Sequence, residues 1–340
     1  MWLSDQVVTH LRDVASWPDL PEGRYRVIRP IGQGGMGRVY EARDERLDRD
    51  VAIKVSNAPF AGSSLDERLE REALVSATLE HPGIVPVHDV GVLADGRLFY
   101  VMKLVRGDTL ERHAPSLTSE SARLSLFERV AEALAFAHAR GIVHRDVKPS
   151  NVMVGAFGEV LVLDWGAAKR VDDPGLGRTR PVDAAMPGAS HPTGATEPGT
   201  RMGTPGFMAP EQAQGRVDDV SCATDVYALG ALLCWLLAGR PPGANTASAR
   251  GLRDTLPSAP RRLRAIVGKC LAERAAERYA TAGDLVADVA RYRAGEAVRA
   301  CPETPWDRLG RWFVKYRTFI GLIAAYLIMR AVVAWWLGSR

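Results

Sequence analysis

Residues 142–154 read IVHRDVKPSNVMV, and after a short apolar run residues 163–166 read LDWG. This stretch decides the fold. It contains four polar side chains in a fixed order: Asp146, Lys148, Asn151 and Asp164. In-line phosphoryl transfer needs one group that orients a hydroxyl, one that balances charge and two that hold Mg²⁺. Single acidic residues after strands are often turn formers, but chance assembly of the whole ordered set is improbable.

A glycine-rich turn precedes this stretch. Residues 31–39 read IGQGGMGRV, a G-x-G-x-x-G pattern between two predicted strands. Because glycine has no Cβ, backbone N–H groups in such a turn can approach phosphate oxygens. Alone, the pattern fits a glycine-rich hairpin or a dinucleotide turn equally well. A dinucleotide turn opens a helix, whereas residues 38–42 continue as a strand, which disfavours that alternative.

Lys54 lies in an apolar strand predicted over residues 50–56. An unpaired ammonium is costly in such a place, so the lysine needs an anionic partner, and Glu72 on the following helix is the candidate. The pair would direct Lys54 toward phosphates. The alternative is a surface lysine on an edge strand.

The apolar periodicity divides the chain into a mostly β lobe and a mainly α lobe, which makes the fold class α+β. The predicted elements of the first lobe are strands over residues 25–31, 37–44, 50–56, 85–92 and 97–105 and one helix over residues 65–79. Beyond Gly107 the period is helical, most clearly over residues 226–237. Residues 170–200 are dense in Gly, Pro, Ser and Thr, which predicts a long mobile loop.

Composition excludes several classes of protein. The net charge of +4 is small for 340 residues and the basic residues are scattered, so no nucleic-acid partner is expected. The four cysteines show neither a C-x-x-C pair nor a metal-ligand spacing, which is typical of a reducing cytoplasm. Residues 1–20 lack the continuous apolar core of a secretory signal, so the body of the protein is predicted to be cytoplasmic.

Taken together, the motifs resemble the eukaryotic-type (Hanks-type) protein kinases, and bacterial Ser/Thr kinases in particular, from Gly32 to Thr281. The resemblance implies a two-lobed kinase fold, with lobes over residues 25–103 and 104–293. It implies transfer of the ATP γ-phosphoryl group to Ser and Thr of protein substrates, with Mg²⁺ or alternatively Mn²⁺. Lys148 and Thr204 resemble the Ser/Thr-directed rather than the tyrosine-directed branch.

The resemblance also implies roles for individual residues. The implied catalytic and metal residues are Asp146 as base, Lys148 as charge stabiliser, Lys54 with Glu72 as ion pair, and Asn151 with Asp164 as Mg²⁺ ligands. The implied ATP-binding residues are Ile31, Gly32, Gln33, Gly34, Gly35, Met36, Gly37, Val39, Ala52, Lys54, Met102, Lys103, Val105 and Met153. The adenine-facing side chains are equally typical of an ordinary core, so only backbone hydrogen bonds at Lys103 and Val105 would give this pocket a specific role.

Further residues are implied in support and regulation: Arg145, Thr204, Glu211, Asp225 and Arg278. Glu211 is expected to pair with Arg278, and Asp225 to brace the catalytic loop. The resemblance implies that Arg145 clamps a phosphate on the activation segment, residues 164–211, for which Thr200 and Thr196 are the preferred autophosphorylation sites. Against this, Ser and Thr are common in any disordered loop. Autophosphorylation between two copies implies self-association.

Trp165 stands where the family usually has Phe, and the larger ring is expected to pack against the Glu72 helix and His144. Overpacking normally costs stability. Ser76, one turn beyond Glu72, lies where an apolar residue is commoner. We hypothesise that this small side chain makes room for the indole.

The end of the chain is predicted to attach it to a membrane. Residues 319–337 are apolar and long enough to span hydrocarbon, and residues 294–318 form a basic linker on the cytoplasmic side. Arg330 opposes a spanning helix because a buried arginine is costly. A helix that lies on the membrane or docks to a partner is the alternative.

Two other classes of function compete with active phosphotransfer: a nucleotide-binding pseudokinase scaffold and a membrane-tethered interaction module. Both need a missing catalytic part. The polar set of the first motif and Lys54 are all present, so the sequence favours an active enzyme. Residues 1–24 form a leader whose apolar spacing predicts a small docking helix.

Overall fold

The computed structural model describes residues 17–21, 23–34, 37–57, 64–171, 206–243, 246, 248–302 and 316–338. Several predicted features lie outside the described residues: most of the leader, Gly35, Met36, Thr196, Thr200, Thr204 and most of the loop that holds the last three. The predicted loop start at Arg170 is wrong, because Lys169–Arg170 form a short strand that pairs with Ile142–Val143.

Five antiparallel strands form the sheet of the first lobe, in the spatial order β1-β2-β3-β5-β4. The strands are β1 (Tyr25–Gln33), β2 (Gly37–Asp44), β3 (Arg49–Ser56), β4 (Val87–Val92) and β5 (Leu98–Lys103). The predicted strands are confirmed with small shifts of their ends. The predicted start of β4 at Val85 is wrong, since Pro86 has no N–H to donate to the ladder.

Side chains alternate between the two faces of this sheet. On the outer face, Val51, Ile53 and Val55 of β3 pack with residues of β1, β2 and β5, and Leu20 covers them. On the inner face, Leu69, Ala73 and Tyr100 form a separate buried cluster. The inner face therefore carries the helix of the first lobe and the side chains that point to the cleft.

That helix is α1 (Ser64–Thr78), which lies between β3 and β4 in the chain. Its buried residues recur at helical spacing and include Leu69, Glu72, Ala73 and Ser76. Full burial of one leucine contributes about 1.5–3 kcal/mol, so Leu69 is a main anchor of α1 on the sheet. Glu72 lies on the same buried face, which fixes its direction toward β3.

The second lobe is built from helices, with small sheets at its border with the first. Its strands are β6 (Gly107–Thr109), β7 (Ile142–Val143), β8 (Val152–Gly155), β9 (Val160–Val162) and β10 (Lys169–Arg170). Its helices are α2 (Leu110–His113), α3 (Glu120–His138), α4 (Pro210–Ala213), α5 (Cys222–Ala238), α6 (Ala249–Thr255), α7 (Arg261–Cys270) and α8 (Ala282–Arg293). One continuous buried cluster joins all of these helices except α4.

Helix α5 is the centre of this lobe. It is apolar on nearly all sides and ends at Gly239, whose φ of 73° is a left-handed conformation that glycine adopts without strain. A Cβ at Gly230 would lie 2.3 Å from the Cβ of Cys270, so α5 and α7 approach closely only because residue 230 is glycine. Asp225 lies in the first turn of α5, where it faces the loop between β7 and β8.

The described chain ends in α9 (Arg317–Gly338), whose apolar side chains are largely exposed, Phe319, Leu322 and Trp335 among them. A helix is therefore confirmed here. Among the residues that the structure describes, however, none of the helices combines the length and the apolarity that crossing a membrane requires. The predicted transmembrane helix over residues 319–337 is accordingly not confirmed.

Candidate active site

The loop that connects β7 to β8, for which the sequence predicts a catalytic role, brings three predicted polar residues together. Lys148 Nζ lies 2.7 Å from Asp146 Oδ2. Asn151 Nδ2 donates to the backbone oxygen of Asp146 at 2.9 Å and to its Oδ2 at 3.1 Å. The carboxylate of Asp146 is thus oriented from two sides and partly open to solvent. Such a group can accept a proton from a hydroxyl placed against it.

Asp225 holds the start of this loop in place. Its two carboxylate oxygens accept the backbone N–H groups of His144 at 2.7 Å and Arg145 at 2.8 Å. Burial alone would raise the pKa of Asp225, but the hydrogen bond from His138 and nearby positive charge hold the pKa below its ordinary value. The predicted brace is therefore in position, and it stays ionised to receive the N–H donors.

Backbone strain concentrates in the same region. Arg145 has φ 72° and Asp164 has φ 61°, left-handed conformations that are uncommon for residues with a side chain. Gln212 of α4 donates to the carbonyl of Arg145 at 2.8 Å, which helps to keep that conformation. Strain of this kind persists where the surroundings over-determine it, most often at functional sites.

Asp164 follows β9 and faces the cleft. Its Oδ1 is buried and has no hydrogen-bond partner within the described part of the chain, while Lys54 Nζ lies 3.7 Å away. Asn151 is tied to the same place, since its carbonyl accepts the N–H of Leu163 at 2.8 Å. Proteins usually hold Mg²⁺ through one or two carboxylates plus substrate phosphates. Asp164 Oδ1 has no hydrogen-bond donor within the described part of the chain, so it fits the predicted role of Asp164 as a Mg²⁺ ligand together with Asn151.

Lys54 and Glu72 form the predicted ion pair across β3 and α1. Lys54 Nζ lies 2.8 Å from Glu72 Oε1 and 2.7 Å from Oε2. Burial would lower the pKa of Lys54, but the charges of Glu72 and Asp164 outweigh it and raise the pKa. The lysine therefore stays charged, and 12% of its side chain remains exposed.

The glycine-rich hairpin joins β1 to β2 above the cleft. The N–H of Gly34 donates to the carbonyl of Gly37 at 2.9 Å, which closes the turn. A Cβ at Gly37 would lie 2.3 Å from the carbonyl oxygen of Val55, so the close approach of β2 to β3 requires glycine there. Asn57 fastens the turn by donating to the carbonyl of Gly34 at 3.1 Å.

The side chains predicted to contact adenine come from both lobes. Ala52 is buried and faces the cleft side of β3, and the remaining predicted side chains are partly buried: Val39, Met102, Val105 and Met153. The backbone N–H of Lys103 already donates to the carbonyl of Pro86 at 3.1 Å. Of the Lys103 backbone, the carbonyl is thus the group we expect to contact adenine. These ATP contacts stay a prediction.

Trp165 is fully buried in the short 3₁₀ turn Trp165–Ala167 that packs against α1. Its ring centroid lies 4.6 Å from that of His144. The predicted surroundings of the indole are thus observed. Its Nε1–H is buried without a hydrogen-bond partner among the described residues, which adds a cost that phenylalanine would not have.

A second buried ion pair joins α4 to the segment before α8. Arg278 Nη1 and Nη2 donate to the two oxygens of Glu211 at 2.8 and 2.9 Å. The remaining donors of the guanidinium reach the carbonyls of Ala223, Glu273 and Ala272. The predicted pairing is thus present, and it locks the end of the activation segment to the core of the second lobe.

Comparison with known proteins agrees with this geometry. A family model described as the protein kinase domain matches residues 25–288, which is most of the chain. The chain belongs to the protein kinase family. This kinase is 38% identical over 302 residues to the Ser/Thr-protein kinase PknA of Mycobacterium tuberculosis, covering 83% of this chain and 64% of PknA.

Other relatives give the same family. The kinase is 35% identical over 280 residues to PknD of M. tuberculosis, covering 77% of this chain and 39% of that one. It is 35% identical over 298 residues to PknD of Chlamydia caviae, covering 80% and 31%. The chain thus spans less than two thirds of the length of these relatives.

A solved structure shows the same fold. The crystal structure of the M. tuberculosis PknI kinase domain superimposes with a TM-score of 0.58 at 26% identity, over 81% of this chain and 98% of that one. The likeness covers nearly all of the PknI domain. The two-lobed fold expected from the sequence is confirmed.

Four side chains of the kinase site were missed at the sequence level. They are Tyr100, His138, Gln212 and Thr224, which hydrogen-bond to Glu72, Asp225, Arg145 and Glu211 respectively. His138 Nε2 lies 2.9 Å from Asp225 Oδ2, and the N–H of Ala282 lies 3.2 Å from Nδ1 of the same ring. The position of Tyr100 could have been found from the sequence. Strand alternation places Tyr100 on the same face of β5 as Met102, which was predicted to face the nucleotide.

Proposed function

We propose that this kinase transfers the γ-phosphoryl group of ATP to Ser and Thr hydroxyls of protein substrates and, first of all, to its own activation segment. The observation that carries the proposal is the Asp146, Lys148 and Asn151 cluster opposite the Lys54–Glu72 pair. One cluster can orient a hydroxyl and the other can orient phosphates, which is the division of labour that phosphoryl transfer needs.

In the proposed reaction the substrate hydroxyl oxygen forms a bond to the γ-phosphorus. The bond from that phosphorus to the bridging oxygen of ADP breaks, and the hydroxyl proton passes to Asp146. Lys148 balances the charge on the transferring group, and Lys54 holds the phosphates that stay with ADP. Mg²⁺, held by Asn151 and Asp164, would neutralise charge on the phosphate oxygens when bound.

Residues of the activation segment are proposed as the first acceptors, with Thr200 and Thr196 preferred. Support comes from Arg145, whose backbone is fixed by Asp225 and Gln212 directly before Asp146. A phosphate carries nearly two negative charges that an arginine can bind through two hydrogen bonds. Transfer between two copies would require at least transient self-association.

The test is incubation of the purified full chain with γ-labelled ATP and Mg²⁺, followed by mapping of the labelled residues. We expect label on Ser or Thr in the parent and a loss of about 10²–10⁴-fold in Asp146→Asn. Asp48→Asn is the matched control, because Asp48 is 89% exposed and lies on the surface of the first lobe. Nucleotide binding without any label would favour the scaffold, and no binding would favour the interaction module.

Attachment to a lipid surface through α9 is the second part of the proposal. Phe319, Leu322 and Trp335 are all more than half exposed, so the helix offers a large apolar surface. The kinase domain would then work at the cytoplasmic face, where ATP and free thiols are found. Co-sedimentation with phosphatidylglycerol vesicles should be lost in Leu322→Asp; equal binding of parent and variant would contradict the attachment.

A further inference from the structure

Tyr100 is a tyrosine in the core of the first lobe whose hydroxyl reaches the catalytic ion pair. It lies on β5, is 3% exposed, and its hydroxyl donates to Glu72 Oε1 at 2.7 Å. Packing alone does not require this hydroxyl, since Leu69 and Ala73 surround the ring and a phenyl group would fill the same space. A buried hydroxyl costs about 1–3 kcal/mol unless it is paired, so the bond to Glu72 is what makes tyrosine acceptable there.

The register of the sheet explains why Tyr100 can reach Glu72. Lys54 on β3 and Tyr100 on β5 are directly paired across the antiparallel ladder, and both side chains point to α1. Lys54 Nζ also lies 5.9 Å from the centre of the tyrosine ring. Three elements, β3, β5 and α1, therefore meet at one carboxylate.

The hydrogen bonds of Glu72 show what the hydroxyl adds. Lys54 reaches both carboxylate oxygens, but its long flexible stem allows the ammonium and the carboxylate to move together. Tyr100 donates from a ring that is fixed by packing, so its hydrogen bond holds the Glu72 carboxylate at a fixed position relative to the sheet. Burial raises the pKa of Glu72, whereas the donors of Lys54 and Tyr100 favour the ionised form.

We propose that Tyr100 is a positioning residue for phosphoryl transfer: its hydroxyl holds the Glu72 carboxylate, and through it α1 and Lys54, in the geometry that presents Lys54 to the nucleotide phosphates. The inference rests on the proposed kinase activity for its kinetic consequence. Its structural consequence, the fastening of α1 to β5, does not depend on that activity.

The kinetic test is Tyr100→Phe, which removes one oxygen and keeps the ring. The limiting rate of autophosphorylation should fall about tenfold, since loss of a hydrogen bond to a charged group is of that order. The ATP concentration that gives half of this rate should stay within about twofold, because Lys54 is misplaced rather than removed.

The matched control is Tyr279→Phe. Tyr279 is also 3% exposed, and its hydroxyl donates to the buried Asp288 Oδ2 at 2.7 Å, far from the cleft. Both variants lose one buried charged hydrogen bond, so both should melt at lower temperature. We expect Tyr279→Phe to keep the parent rate and ATP dependence within about twofold. A comparable loss of rate in the two variants would show that Tyr100 acts only through stability.

A double-mutant cycle tests whether Tyr100 acts through Glu72. In the Glu72→Gln background, Tyr100→Phe should change the rate by less than about twofold, because the group that it positions is already gone. If the second substitution still lowered the rate tenfold, the hydroxyl would act by another route and the proposal would be wrong.

Hydrogen exchange separates this proposal from the kinase activity itself. Backbone amides of α1 should exchange at least about fivefold faster in Tyr100→Phe than in the parent, and at the parent rate in Tyr279→Phe. Absence of any phosphorylation in the parent would overturn the proposed function, while faster exchange in α1 would still support the fastening by Tyr100. Unchanged exchange would overturn the fastening whatever the activity.

Discussion

Two buried ion pairs in this kinase differ in how their cations are used. Each joins a glutamate on a helix to a basic residue from another element, and in each a hydroxyl donates to one carboxylate oxygen: Tyr100 to Glu72 at 2.7 Å, Thr224 to Glu211 at 2.9 Å. Arg278 uses all five of its N–H donors on protein oxygens. Lys54 gives two hydrogen bonds to Glu72 and keeps one side toward Asp164 and the cleft.

The difference separates a pair that supports the fold from a pair that serves chemistry. A fully bonded guanidinium has nothing left for a ligand, and its removal leaves several buried groups without partners. An ammonium with a spare N–H at the edge of a cleft can take up a phosphate oxygen. Exchanging the two cation types while keeping the charge therefore tests the comparison directly.

Lys54→Arg should have the largest effect, and it should fall on activity. The guanidinium keeps the charge beside Glu72, but its longer planar head displaces the donors, and a displacement of about 1 Å can cost 10²-fold in rate. We expect autophosphorylation to fall at least about 100-fold, with the free energy of unfolding changed by less than about 1 kcal/mol. Labelled ATP and urea denaturation measure the two quantities.

The control for Lys54→Arg is Lys269→Arg, on α7 and remote from the cleft, where the cation lies 4.4 Å from the ring of Tyr279. Both cation types bind an aromatic face, so rate and stability should remain those of the parent. Retention of full activity by Lys54→Arg would show that this lysine contributes charge alone, and the distinction between the two pairs would fail.

Arg278→Lys should show the reverse pattern, a loss of stability with activity kept. An ammonium has three donors, so at least two of the five acceptors around Arg278 would lose their bonds. With about 1–3 kcal/mol for each buried unsatisfied group, we expect a loss of about 2–6 kcal/mol in the free energy of unfolding. At a temperature where the variant stays folded, its autophosphorylation rate should remain within about twofold of the parent.

Arg274→Lys is the comparison for Arg278→Lys. Its side chain is 80% exposed and lies 3.6 Å from Glu277, and exposed pairs contribute about 0–1 kcal/mol. We expect a change in stability below about 0.5 kcal/mol. Equal losses in the two variants would mean that burial of the Arg278 pair adds nothing.

The same comparison shows what could be predicted from the sequence. The ordered motifs placed Asp146, Asn151 and Asp164 together. The pairing of Lys54 followed from the cost of an unpaired ammonium in an apolar strand, and the pairing of Arg278 followed from the resemblance. These residues belong to short stretches with a fixed chemical order. The hydroxyl donors of the two ion pairs, Tyr100 and Thr224, lie in elements that no sequence motif connects with Glu72 or Glu211.

Tyr100 illustrates why those partners were missed. It is 28 residues from Glu72 in the chain, and its hydroxyl becomes informative only once β5 is paired with β3 and α1 lies on that face. Thr224 lies in the first turn of the apolar helix α5, where a polar residue is expected to cap the helix. Its hydrogen bond to Glu211 therefore could not be read from the sequence pattern. The start of β4 after Pro86 was predictable from the missing N–H of that proline.

The smallest expected effect is on the pH dependence of stability. The titrations of Glu211 and Lys54 should affect opposite ends of the pH range and so distinguish the two ion pairs. Burial would raise the pKa of Glu211, but the hydrogen bonds from Arg278 outweigh it and lower the pKa. A carboxyl with a lowered pKa in the folded state contributes stability that is present above its ordinary value of 4.5 and is lost as pH falls through the folded value. The pKa of Lys54 is raised, so its contribution is complete below its ordinary value of 10.5 and is lost only as pH rises through the folded value.

The Glu211 pair therefore limits the acid side and the Lys54 pair the alkaline side. Urea denaturation between pH 6 and 3 should show stability falling below about pH 4.5, because the lowered pKa of Glu211 makes its protonation favour the unfolded state. Arg278→Lys should make that fall shallower, because an ammonium lowers the pKa of Glu211 less, whereas Lys54→Arg should leave it unchanged. An acid limb that is the same in the parent and Arg278→Lys would show that Glu211 gains no stability from its five-donor partner, and the two pairs would then be alike.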